Sequence, residues 1–138
     1  MSPARKTKPL TIDVHCHLTA LGPASGGFLS RRTRRDIAFR TLFLWYGHRP
    51  GRDDEFDRRM AELLPRWVRE SETTDMAVAL ALDGVYGRGG RMDESRTHSY
   101  TPNEYVLDVV RRNSDVLLFG ASVHPGRADA LDELDRVK

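Results

Sequence analysis

The chain has 138 residues, 39% hydrophobic and 30% charged, and its 22 Lys plus Arg against 20 Asp plus Glu leave a formal charge of +2. That balance fits one globular unit and excludes a disordered chain; no run approaches the ~20 apolar residues of a membrane span, and so small a charge gives no reason to expect a nucleic-acid partner. A lone cysteine, Cys16, cannot close an internal disulfide, and the basic leader over residues 1–9 has no apolar stretch behind it, so a cytoplasmic protein is expected.

The first apolar run, Leu10 to Leu18, is rich in β-branched residues and reads as a buried strand, stopped by the glycine- and serine-rich stretch 22–27. Thr33 and Asp36, three apart before Ile37, resemble a helix capping box, with the helix running to about Tyr46. A second helix from about Asp54 carries Phe56, Met60, Leu63, Leu64, Trp67 and Val68 at helical spacing, and Pro65 is expected to kink or split it. Residues 19–74 thus form a helical insertion before the next strand, Met76 to Leu82.

A long polar loop, Gly84 to Tyr100, follows and reads as a mobile active-site loop, since its glycines fit no phosphate-binding spacing. Thr101-Pro102-Asn103-Glu104 then predicts a helix with Thr101 as cap and Tyr105, Val106, Val109 and Val110 as its buried stripe. Val116 to Val123 is the third strand, and a last helix carries Leu131, Leu134 and Val137. Strands alternating with helices imply an α/β fold with parallel pairing, in which chemistry gathers at the C-terminal ends of the strands.

The chemically informative segment is Asp13-Val14-His15-Cys16-His17. Side chains two apart on a strand share a face, so His15 and His17 project together as two imidazole ligands for a divalent metal. Imidazole suits zinc, iron, nickel and copper. Asp13, in phase with both histidines, is expected to orient one of them or to meet substrate. Cys16 points to the opposite face as a small buried residue.

IDVHCHL resembles the first-strand signature of the amidohydrolase superfamily. ALALDGVYGRGG and FGASVHPGRADALDELDRV resemble the second strand and the third βα unit of its amidohydrolase 2 branch, related to aminocarboxymuconate-semialdehyde decarboxylase. The resemblance implies the N-terminal three βα units of a truncated (β/α)8 TIM barrel, with His15 and His17 as ligands of a divalent metal, zinc being expected and manganese and iron the alternatives. By the family pattern, a further His and a late Asp fall beyond Lys138, as does the general base. A full barrel needs about 250 residues, so an incomplete barrel is expected, inactive by itself.

The implied activity of the full-length protein is hydrolysis of an amide, ester or lactone in a small-molecule substrate by metal-activated water, in a chain compatible with homo-oligomer formation. The alternatives are non-oxidative decarboxylation in the same branch, a TatD-like metal-dependent DNase, and a non-catalytic structural or partner-binding fragment. The roughly sixty residues between the first two strands count against the DNase.

His124 and Asp83 stand at the ends of the third and second strands and are candidates for contact with substrate or with a metal ligand, although Asp83 also suits a turn before Gly84. His48 and His98 lie in loops and are not assigned to the metal. Arg127 reads as a surface arginine at a helix start. The arginine run Arg31, Arg32, Arg34 and Arg35 reads as a solvated helix start, and Trp45 and Trp67 as core residues.

Overall fold

The computed structural model describes residues 9–138, so the leader expected over 1–9 lies, except for Pro9, outside the described residues. The elements in chain order are β1 (Ile12–His17), β2 (Phe28–Leu29), α1 (Arg31–Arg35), α2 (Ile37–Trp45), α3 (Asp53–Glu70), β3 (Met76–Leu80), β4 (Ser99–Tyr100), α4 (Asn103–Arg112), β5 (Leu117–Gly120) and α5 (Ala130–Arg136). The protein is α/β. Its main sheet has three parallel strands in the order β1-β3-β5, and β2 pairs antiparallel with β4 in a separate two-stranded ribbon that the sequence pattern did not suggest.

Small side chains on one face of β3 set how the helices dock. Ala77 and Ala79 are fully buried, and Val106 and Val109 of α4 and Val68 of α3 pack over them together with Leu18 and Leu117. Fully burying a valine or leucine contributes about 1.5–3 kcal/mol, so this cluster anchors the helical layer to the sheet. On the opposite face Ile12 pairs with Met76 and Val78 with Leu118, and Ile12 and Leu118 are each 39% exposed. A second cluster, Leu21, Leu29 and Phe56 with Phe43 and Tyr46 against it, joins α2 and α3 beneath the ribbon.

Several local expectations change. The Thr33–Asp36 box does not form. Ser30 caps α1 through the Thr33 amide, and Asp36 itself caps α2 by accepting from the Ala38 and Phe39 amides, so the chain breaks between two helices there. Such a cap is worth about 1 kcal/mol. The longest helix, α3, runs through Pro65 without a break. Thr101 does not cap α4; its backbone exchanges two hydrogen bonds with Leu82, and the helix begins at Asn103. Val106, Val109 and Val110 are buried as expected.

The third strand ends at Gly120, three residues short of Val123, because Ser122 is drawn aside by Asn103: the Ser122 amide donates to Asn103 Oδ1, and Asn103 Nδ2 donates to the Ser122 carbonyl, both at 2.8 Å. The tryptophans are not core residues. Trp45 is 80% and Trp67 42% exposed, since the inward positions around them are taken by Phe43 and Phe56. The loop 84–100 is closed on itself by backbone bonds such as Asp93 to Val85 and Gly87 to Arg91, and by Thr97, whose buried hydroxyl takes the Val85 amide. No described helix is long and apolar enough to cross a membrane.

Candidate functional site

β1 carries the site because of an irregularity in its pairing. Asp13 stands opposite Ala77 and Cys16 opposite Ala79, so three steps along β1 match two along β3. Such a bulge re-aims side chains. Here it leaves His15 and His17 with their Nε2 atoms 3.2 Å apart and their rings edge to face, centroids 5.0 Å apart. The strand therefore brings together the two histidines that the sequence singles out.

Asp13 does not serve them as expected. Its carboxylate turns back on the strand, taking the His15 amide at 2.9 Å and the Cys16 thiol at 3.2 Å, because the bulge removes it from the histidines' phase. Those two contacts hold the Asp13 carboxyl below its ordinary value. Cys16 lies on the helix side, packed against the core, where burial first and Asp13 second push its thiol up to about 11. Partial desolvation, and then the neighbouring His15, hold the His17 imidazole below its usual value, against the opposing effect of the Leu80 backbone.

His17 also lines a cleft of about 610 Å³ between the end of β1, the ribbon and the helical insertion. Leu21, Leu29, Phe39 and Phe43 supply apolar wall, and Arg32 and His98 supply polar groups. A mostly apolar cleft with a few polar groups is the ordinary form of a small-molecule site. A second cleft of the same volume, about 610 Å³, runs between α3 and α4, but none of the sequence-predicted site residues lines it.

The ends of β3 and β5 meet in a polar cluster instead. Asp83 accepts from the Gly84 amide and the Tyr86 hydroxyl on Oδ1, and from the His124 amide and Arg127 on Oδ2. With its side chain only 4% exposed and both oxygens occupied, Asp83 ties two strand ends together and is not placed to meet substrate. Arg127 is not the surface residue its sequence context suggests. Its side chain is 10% exposed and lies between Asp83, Asp129 and Glu133. The hydrogen bonds to Asp129, followed by the charge of Asp83, raise its affinity for the proton further. His124 is exposed beside this cluster, with its ring stacked on Tyr86 at 5.3 Å.

Sequence reasoning missed the buried role of Arg127, whose signal was Asp129 and Glu133 two and six residues onward. It also missed the role of Arg34, which leaves the exposed arginine run to donate to the Leu21 and Leu29 carbonyls and to pair with Asp53 at 2.9 Å. Asp53 in turn holds His48 at 2.7 Å, which fixes the loop after α2.

As to metal ligation, two exposed imidazole nitrogens at 3.2 Å fit adjacent positions on one ion: Zn–N bonds of about 2.0–2.1 Å at a tetrahedral angle put neighbouring nitrogens about 3.3 Å apart. Among the described residues no group of three or more His, Cys, Asp or Glu is gathered to complete such a site. A comparison with family models, curated proteins and solved structures found no match for this chain.

Proposed function

We propose that the chain forms the first three βα units of a metal-dependent hydrolase barrel of the amidohydrolase type, contributing two histidine ligands to its metal centre. The observation that carries this reading is the Nε2–Nε2 approach of His15 and His17 at the C-terminal end of β1, the end of a parallel strand where such folds place their chemistry. The parallel order β1-β3-β5, with α3 and α4 on one face, is compatible with a partial barrel.

His15 and His17 would hold the ion through Nε2, and the depressed basicity of His17 favours the neutral imidazole that ligation requires. When bound, a divalent metal acidifies its water into a nucleophile near neutral pH, suited to attack on an amide, ester or lactone carbonyl. The cleft beside His17 accepts the apolar part of a small substrate against Phe39 and Phe43.

Zinc titration of the purified chain by calorimetry tests the reading. The expected result is one zinc per chain, weakened by about tenfold or more in His15→Ala and in His17→Ala. Zinc affinity unchanged in both variants would overturn it.

A further inference from the structure

His124 is exposed, yet almost every freedom of its ring is removed. Its backbone amide donates to Asp83 Oδ2 at 2.8 Å, its ring stacks on Tyr86, and its Nδ1 accepts the Gly126 amide at 2.9 Å. Tyr86 is itself held, with its hydroxyl on Asp83 at 2.8 Å and the Arg127 guanidinium 5.6 Å from its ring centre. Glycine at 126 is part of this seat, since a Cβ there would stand 3.0 Å from both Nδ1 and Cε1 of His124. An ordinary surface histidine needs none of these supports. Locked side chains resting on a bonded outer shell are how proteins hold functional groups.

The Gly126 contact also fixes the chemistry of the ring. A backbone N–H can only donate, so the nitrogen facing it carries a lone pair, and in neutral imidazole the proton then sits on the other nitrogen. Nε2 is therefore an N–H donor, and it has no protein acceptor among the described residues. A nitrogen that carries its proton has no lone pair for a metal, and Nδ1 is already occupied.

We propose that His124 is a preset hydrogen-bond donor, through Nε2–H, to a carbonyl or carboxylate oxygen of the bound small molecule, and is not a metal ligand. It extends the proposed function by adding one substrate-contacting group at the end of β5, and it rests on that reading only for the identity of the site as catalytic. The Asp83–Arg127–Tyr86 cluster acts through His124 as its positioning shell.

Long-range proton–nitrogen NMR on the uniformly labelled chain, with zinc alone and then acetate alone as probes, tests this. His124 is expected as the Nε2–H tautomer. Zinc should shift His15 and His17 but leave His124 in place, and His124→Ala should keep zinc affinity within about twofold. Acetate should shift the His124 Nε2–H saturably, more than the exposed His98, and this response should vanish in Gly126→Ala, which displaces the ring without removing it.

An Nδ1–H tautomer, a zinc-induced shift of His124, or an acetate response no larger than that of His98 would each overturn the proposal. If zinc binds nowhere, the metal reading fails while the tautomer and the acetate response still decide the role of His124.

Discussion

His15 and His17 approach Nε2 to Nε2 at 3.2 Å on a strand whose register slips between Asp13 and Cys16. The slip explains why the carboxylate nearest in sequence serves the backbone and the thiol instead of an imidazole. It also ties the reactivity of Cys16 to Asp13, since both burial and that carboxylate disfavour the thiolate.

Asp13→Ala should therefore make Cys16 more reactive while changing zinc affinity little. Burial, the larger cause, survives the substitution, so the thiol should fall only part of the way from about 11 toward its ordinary 9.0. Alkylation by iodoacetamide at mildly alkaline pH should accelerate several-fold, because the thiolate is the nucleophile. An unchanged alkylation rate would show that the carboxylate does not govern the thiol.

Arg127 is the residue on which the strand ends depend. Removing one partner of a buried ion pair leaves the others charged and unsatisfied, which costs about 3–5 kcal/mol. Arg127→Met removes a cation from Asp83 and Glu133, whose side chains are 4% and 7% exposed. Asp83 keeps its bonds from Gly84, Tyr86 and His124, and Glu133 keeps Arg136 and Asn103, so the unfolding free energy read from urea denaturation should fall by an amount toward the lower end of that range. Arg127→Met/Asp83→Asn should recover part of the loss. A double variant no more stable than the single one would mean that Asp83 does not feel the missing charge.

How much of this was legible beforehand follows from what each residue answers to. The strand at 76–80 and the valine stripe of α4 were readable because continuous or periodic burial leaves a pattern in sequence. The strand at 12–17 forms where its β-branched run suggests, but it is not the buried strand expected, since every residue in it but Cys16 is exposed. The histidine pair was readable because alternation is a local rule. The bulge was not, since it is fixed by pairing with β3, more than sixty residues away in the chain. Neither was the burial of Arg127, because a charged residue enters a core only where partners from other elements meet it, here Asp83 at the end of β3 and Glu133 on α5. The ribbon of β2 and β4 joins two dipeptides too short to carry any periodicity.

Acid should lower the stability of the protein in part through its ion-paired carboxylates. Asp115 is held below its ordinary 3.8 chiefly by its hydrogen bonds to Arg69, and Asp129 chiefly by those to Arg127. A depressed value in the folded state means that the unfolded chain binds more protons on acidification. The stabilisation is thus complete above about pH 4 and is lost as pH falls through the folded values. Both groups are solvent-exposed, so each loss is small and salt-sensitive. The urea midpoint should drop as pH falls below about 4. Arg69→Gln, which frees Asp115, should show a shallower drop; an identical pH profile in that variant would remove Asp115 from the account.

Two of the aromatic residues of the helical insertion, Phe56 and Trp45, should separate cleanly in stability. Phe56 is 3% exposed and meets the rings of Phe43 and His48 edge to face at 5.7 and 5.0 Å, so Phe56→Ala empties the middle of the second cluster. Large-to-small changes of that kind cost about 3–5 kcal/mol. Trp45 is 80% exposed on α2, and its ring contact is with the neighbouring Tyr46, so Trp45→Ser should stay within about 0.5 kcal/mol of the parent. Urea unfolding followed by circular dichroism reads both. A Trp45→Ser loss as large as that of Phe56→Ala would show that the outer face of α2 is covered in solution.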